Sequence, residues 1–157
     1  MTHFKIEVKD QPVLEALVEL ARRSDNLAPA MREISETMLD SVEESFDQET
    51  DPATGMPWQT LSPVTQALRT EKGSWPGKML QISQGGLAAS VQADSGDDYA
   101  EVGSNKPYAR IQHLGGKAGR NRKVEIPARS YLGLWPEHQE EIVDVIQRHL
   151  LKNIQNG

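Results

Sequence analysis

The chain has 157 residues, of which 37% are hydrophobic and 5% aromatic, with a net charge of −6 and no cysteine. That length suits one domain able to bury about 70% of its unfolded surface, and a mean hydropathy of −0.58 predicts a modest core, with some apolar surface left for partners in an assembly. Disulfide and thiolate chemistry are excluded, and no apolar run approaches the roughly 20 residues of a membrane helix; a soluble, intracellular single domain, 1–157, with no membrane partner is the expectation.

In chain order, Phe4, Ile6 and Val8 alternate with Lys5, Glu7 and Lys9, which predicts a first or edge strand. Asp10 before Pro12 starts a helix through Arg23, with Val13, Leu14, Leu17, Val18 and Ala21 on its core face. The longest helix is predicted over 27–48, where Leu27, Met31, Ile34, Met38, Val42 and Phe46 recur at steps of three and four. Residues 50–62 form a Pro- and Gly-containing loop anchored by Trp58. Ser62-Pro63 then caps a short helix through Lys72. From Leu87 to Gln92 a strand is expected. It turns through Asp94-Ser95-Gly96-Asp97 and pairs with Tyr99–Gly103. Pairing with the N-terminal strand would complete a small antiparallel sheet.

Gly103 to Pro107 breaks that pattern, and Pro107 opens a short helix, PYARIQHL, stopped by Gly115-Gly116. The loop GGKAGRNRK follows with four cations and no acid; it is predicted to be mobile over 117–124. Ile126 to Leu134 returns the chain to the interior, and Tyr108, Ile111, Leu114, Tyr131 and Leu132 are expected to pack beneath the loop. A last helix runs from about Pro136 to Ile154, acidic at its start and basic at its end, as the helix dipole favours. The fold class is α+β: a small antiparallel sheet packed with one long and two or more shorter helices.

Charge is unevenly distributed. Residues 1–78 hold 8 cations and 14 acids, whereas residues 79–157 hold nine of each. Between Arg32 and Arg69 there is no cation against eight acids, and Glu43, Glu44, Asp47 and Glu49 crowd the end of the long helix. There the dipole disfavours each anion by about 0.3–1 kcal/mol at low salt. Either this is a solvated acidic face, or it meets a basic surface on another subunit. Lys117, Arg120, Arg122, Lys123 and Arg129 form the opposite extreme, with only Glu125 among them.

Catalytic patterns are not found. The four histidines are scattered. Glu137, His138 and Glu141 lack the second helix of a di-metal bundle, and there is no HExxH. His113 at a helix end reads as a packed side chain, and Ser83 and Ser90 have no evident His and Asp partners. Gly115-Gly116-Lys117-Ala118-Gly119 lacks the full phosphate-loop pattern. No catalytic residue, cofactor or metal ligand is therefore assigned. Five cations between 117 and 129 could contact nucleic acid non-specifically, but no aromatic is interleaved among them for base stacking.

The strings VGSNKPYARIQHLGG and IPARSYLGL, with GMPWQTLSPVT and KMLQISQGGLAASV upstream, resemble the phage virion morphogenesis family, the Mu G-type and S-type tail completion proteins. The likeness spans roughly residues 35–150 and departs from the family's tight Ser-Gly pair by the inserted Gln84. It implies a non-catalytic structural protein of a phage or prophage that completes the tail or joins it to the head. Its partners would be other tail or head–tail connector proteins, met in the host cytoplasm during assembly, with a final place in the virion tail or neck. On this reading copies form a ring through heterologous contacts, with Glu43, Glu44, Asp47 and Glu49 of one copy against Lys117, Arg120, Arg122, Lys123 and Arg129 of the next. The alternative is a nucleic-acid-binding accessory protein acting through 117–129.

Overall fold

The computed structural model describes residues 10–81 and 85–155. In order these form α1 (Gln11–Arg23), α2 (Ala28–Gln48), α3 (Pro63–Glu71), α4 (Leu87–Ser90), β1 (Val91–Ser95), β2 (Ala100–Ser104), α5 (Ala109–Leu114), β3 (Gly116–Ala118), a 3-10 turn at Arg120–Arg122, β4 (Val124–Ile126) and α6 (Pro136–Gln155). The class is α+β. The predicted strand at Phe4–Val8 lies outside the described residues, as does Ser83.

Local chemistry accounts for most boundaries. Asp10 caps α1 by accepting from Val13 N at 3.0 Å, and Ser62 caps α3 by accepting from Thr65 N at 3.2 Å. Helix α2 ends where Glu49 turns left-handed (φ 50°), with no basic residue in its last turn. The inward face of α1 is Val13 and Leu20, with Ala16 and Leu17 half-buried. Leu14, Val18 and Ala21, expected inside, are exposed because that ridge is rotated about 100° around the helix from the one that meets α6.

Two hydrophobic clusters share α2 as their common wall. One joins Val13 and Leu20 of α1 with Ala30, Met31 and Ile34 of α2 and Ile142, Val145 and Ile146 of α6. The other gathers Val42 and Phe46 of α2 with Trp58, Leu61, Met79, Leu87, Val91, Ala109 and Tyr131. At the first end Glu33 bridges α2 to α6, through Arg148 Nη2 at 3.2 Å and His149 Nε2 at 3.3 Å.

Strands β1 and β2 pair antiparallel from Val91↔Ser104 to Ser95↔Ala100 and lie against α2. Leu87–Ser90, expected as the start of a strand, is a helical turn. The Ser90 hydroxyl closes it by donating to Leu87 O at 2.6 Å. In addition, β3 and β4 pair with each other in a second two-stranded ladder, Gly116↔Ile126 to Ala118↔Val124.

Candidate assembly interface

The basic segment lies within a short hairpin, β3 and β4 flanking the 3-10 turn. Gly115 stops α5 with φ 72°, and a Cβ there would stand 2.7 Å from Ala128 N and 2.9 Å from Ile126 O. Only glycine lets the returning strand pass so closely. At the tip, Gly119, Asn121 and Arg122 take positive φ, and Arg122 N donates to Gly119 O at 3.1 Å. A left-handed Asn is readily tolerated, whereas a left-handed Arg costs about 1–2 kcal/mol. Lys117, Arg120, Arg122 and Lys123 are all exposed on this hairpin. Among the described residues none of the four makes an ion pair.

Arg129 does not join them. It is only 5% exposed, with Nε donating to Gln59 O at 2.9 Å and Nη2 to Thr60 O at 3.2 Å. Burial, and then the charge of nearby Arg69, depress its pKa, while Glu49 acts in the opposite direction. Its guanidinium pins the hairpin base to the loop before α3, so its place in an outward-facing basic patch is corrected. The physical reason is that strand β4 and the turn after it direct residue 129 onto two backbone carbonyls.

Beneath the hairpin lies a packed polar-aromatic platform. His113 Nδ1 accepts from Tyr131 N at 3.1 Å and Leu132 N at 3.3 Å. Its ring meets Tyr131 edge-on at 5.1 Å. Burial pushes its pKa down to about 4, against an opposing pull from Asp51. Tyr131 donates its hydroxyl to Ala109 O at 2.8 Å and stacks on Phe46 at 4.9 Å, and burial raises its pKa. Trp58 Nε1 donates to Ser130 O at 2.8 Å. Such groups hold the backbone in place, and the Nδ1 lone pair of His113 is taken up by two backbone N–H groups. Tyr108 and Leu114, expected in this core, are instead 42% and 50% exposed. Ala109 and His113 occupy the inward i, i+4 positions of α5, which turns the two neighbours outward.

The acidic end of α2 divides in a similar way. Glu43 and Asp47 are exposed and Glu44 is half-buried, accepting from Gln48. Glu49 is engaged internally, its Oε2 accepting from Met79 N at 2.7 Å. Lys78 Nζ donates to the backbone carbonyl of Asp47. None of these four carboxylates forms a salt bridge among the described residues.

Sequence reasoning missed a buried hydroxyl pair. Ser41 Oγ donates to Gly133 O at 2.9 Å and accepts from Trp135 N at 3.0 Å, while Ser45 Oγ accepts from Trp135 Nε1 at 3.1 Å. The signal was the i, i+4 spacing of two serines beside the apolar stripe. Glu137, His138 and Glu141 lie in the first turns of α6, and no three of His, Asp and Glu gather as a metal site among the described residues. No helix among them is long and apolar enough to cross a membrane.

The model of the phage virion morphogenesis family matches residues 8–151. The putative capsid assembly protein G of Escherichia phage Mu is 38% identical over 120 residues, 76% of each chain. The Mu-like prophage FluMu G protein 2 of Haemophilus influenzae is 36% identical over 146 residues, covering 91% of this chain and 93% of its own. FluMu G protein 1 of the same organism is 30% identical over 149 residues, 94% and 95% of the two chains. No solved structure matches.

Proposed function

The chain belongs to the phage virion morphogenesis family and so has a structural part in building the virus particle; we propose that this part is tail completion or head–tail joining, performed by protein–protein assembly without catalysis. The relative from phage Mu bears the name putative capsid assembly protein G, and a place where head and tail components meet is compatible with it. The observation that carries the reading is a pair of oppositely charged surfaces whose side chains make no salt bridge among the described residues. Lys117, Arg120, Arg122 and Lys123 project from one hairpin, and Glu43, Glu44 and Asp47 stand at the end of α2. Two different surfaces that complement each other make a heterologous contact, which repeats head to tail and closes into a ring where the rotation allows. Glu49 and Arg129 support the two surfaces from within.

Light scattering tests this with the purified chain at low and at high salt. The expected result is a discrete oligomer that dissociates as salt rises, since exposed charge pairs are screened over about 10 Å at 0.1 M. The triple variant Arg120→Glu, Arg122→Glu, Lys123→Glu should be monomeric at both salts and lower the yield of infectious phage. An unchanged mass together with unchanged phage yield would sink the charge-pairing reading. If the triple variant instead assembles normally but loses a salt-sensitive shift with duplex DNA, the hairpin is a phosphate-contacting element and the nucleic-acid reading takes its place.

A further inference from the structure

Helix α3 is turned inside out. Helices on a core put apolar side chains inward and polar ones outward. In α3 the half-buried residues are Thr65, Gln66 and Arg69, whereas Val64, Ala67 and Leu68 are exposed, and no residue of the helix is buried. Backbone acceptors hold the polar side in: Gln66 Nε2 donates to Leu61 O at 2.8 Å, and Arg69 Nη1 to Met79 O at 2.9 Å. Val64 is left 70% exposed and Leu68, one turn on, 54%. The inward side of α3 is tied to the C-terminal end of α2, because Met79, which accepts from Arg69, donates its own N–H to Glu49. The hairpin carries a matching combination, with Val124 56% exposed beside its cations and Leu114 50% exposed at its base.

We infer that α3 and the end of α2 form one receiving surface for the β3–β4 hairpin of a second copy, Val124 and Leu114 packing on Val64 and Leu68 while the cations meet Glu43, Glu44 and Asp47. The inference rests on the assembly reading above and adds what holds the contact together. Exposed ion pairs are individually weak and screened by salt; an apolar centre within a charged rim adds the contact they lack, and the oligomer needs both. Cations and apolar residues on the hairpin are complemented by carboxylates and apolar residues on the receiving surface, where Lys78 sits on the carbonyl of Asp47, so a second copy satisfies both requirements.

The absence of cysteine from the chain makes the test clean. Val124→Cys and Leu68→Cys are prepared as separate proteins, mixed and mildly oxidised. A disulfide-linked pair containing one of each is expected in the mixture, with little cross-linking in either protein alone. Homodimers of either variant in equal yield would overturn the head-to-tail arrangement, and so would the absence of any linked species. In parallel, Val64→Gln/Leu68→Gln should lose the oligomer at every salt concentration while keeping the parent's far-ultraviolet circular dichroism spectrum, because both sites are exposed in the single chain. If the triple charge reversal dissociates the oligomer while the α3 double variant retains its full mass, the assembly reading survives and this inference falls. If the α3 variant dissociates while the reversal changes nothing, the apolar contact stands and the charge pairing falls.

Discussion

Acidification should unlock the platform under the hairpin through His113. Its Nδ1 accepts two backbone N–H groups, from Tyr131 and Leu132, a role that a protonated imidazole cannot fill. In the folded chain its pKa is about 4, against about 6.5 when unfolded. The folded value is the lower one, so as pH falls the unfolded chain takes up the proton first. Stability from this group is therefore complete above about pH 6.5 and is lost progressively between about 6.5 and 4. Between pH 7 and 4.5 the loss is about 2–3 kcal/mol, since each unit of pKa difference corresponds to about 1.4 kcal/mol. For a chain of this length that lowers the melting temperature by about 5–10 °C. His113→Asn retains an oxygen acceptor near Nδ1 without a titrating ring. It should cost some stability at pH 7, from lost packing on Tyr131, but show a flatter dependence on pH. Thermal melts of both proteins from pH 4.5 to 7.5 decide the matter: parallel curves would mean that His113 is not the group responsible.

Two further substitutions probe the frame that presents the hairpin. Ser41→Ala removes the hydroxyl shared by Gly133 O and Trp135 N and should destabilise by about 1–3 kcal/mol in urea unfolding; a change below a few tenths would show that these backbone groups find other partners. Gly115→Ala places a methyl 2.7 Å from Ala128 N at a positive φ and should cost about 1–3 kcal/mol, with faster amide exchange in 116–118 and 124–126 than elsewhere. Uniform exchange across the chain would argue against local opening of the hairpin.

The helices were legible because their signals are local. Asp10 with Pro12 marks a helix start by capping and fixed φ, and the stripe of α2 follows from a period of 3.6 residues. What the sequence could not convey is which way a side chain turns once elements pack. By position Arg129 groups with the hairpin cations, yet carbonyl acceptors on a loop some seventy positions earlier draw it inside. Polarity alone puts Tyr108 and Leu114 in the core. His113 took the inward position instead, since its ring nitrogen could be satisfied there by two N–H groups. The outward ridge of α3 was likewise hidden, because Val64 and Leu68 at i, i+4 read the same whichever way the helix is rolled.

Helix α2, with 21 residues, is about 31 Å long, and it is clamped near both ends by separate clusters. It therefore behaves as a lever arm. A tilt of about one degree at its C-terminal end moves the opposite end by about 0.5 Å at that length. Any angular error at the acidic end is thus magnified at the α1–α6 end. Under the proposed head-to-tail assembly, a series of such subunits would repeat one step faithfully only with a tightly fixed docking angle, and the particle's geometry would inherit that angle.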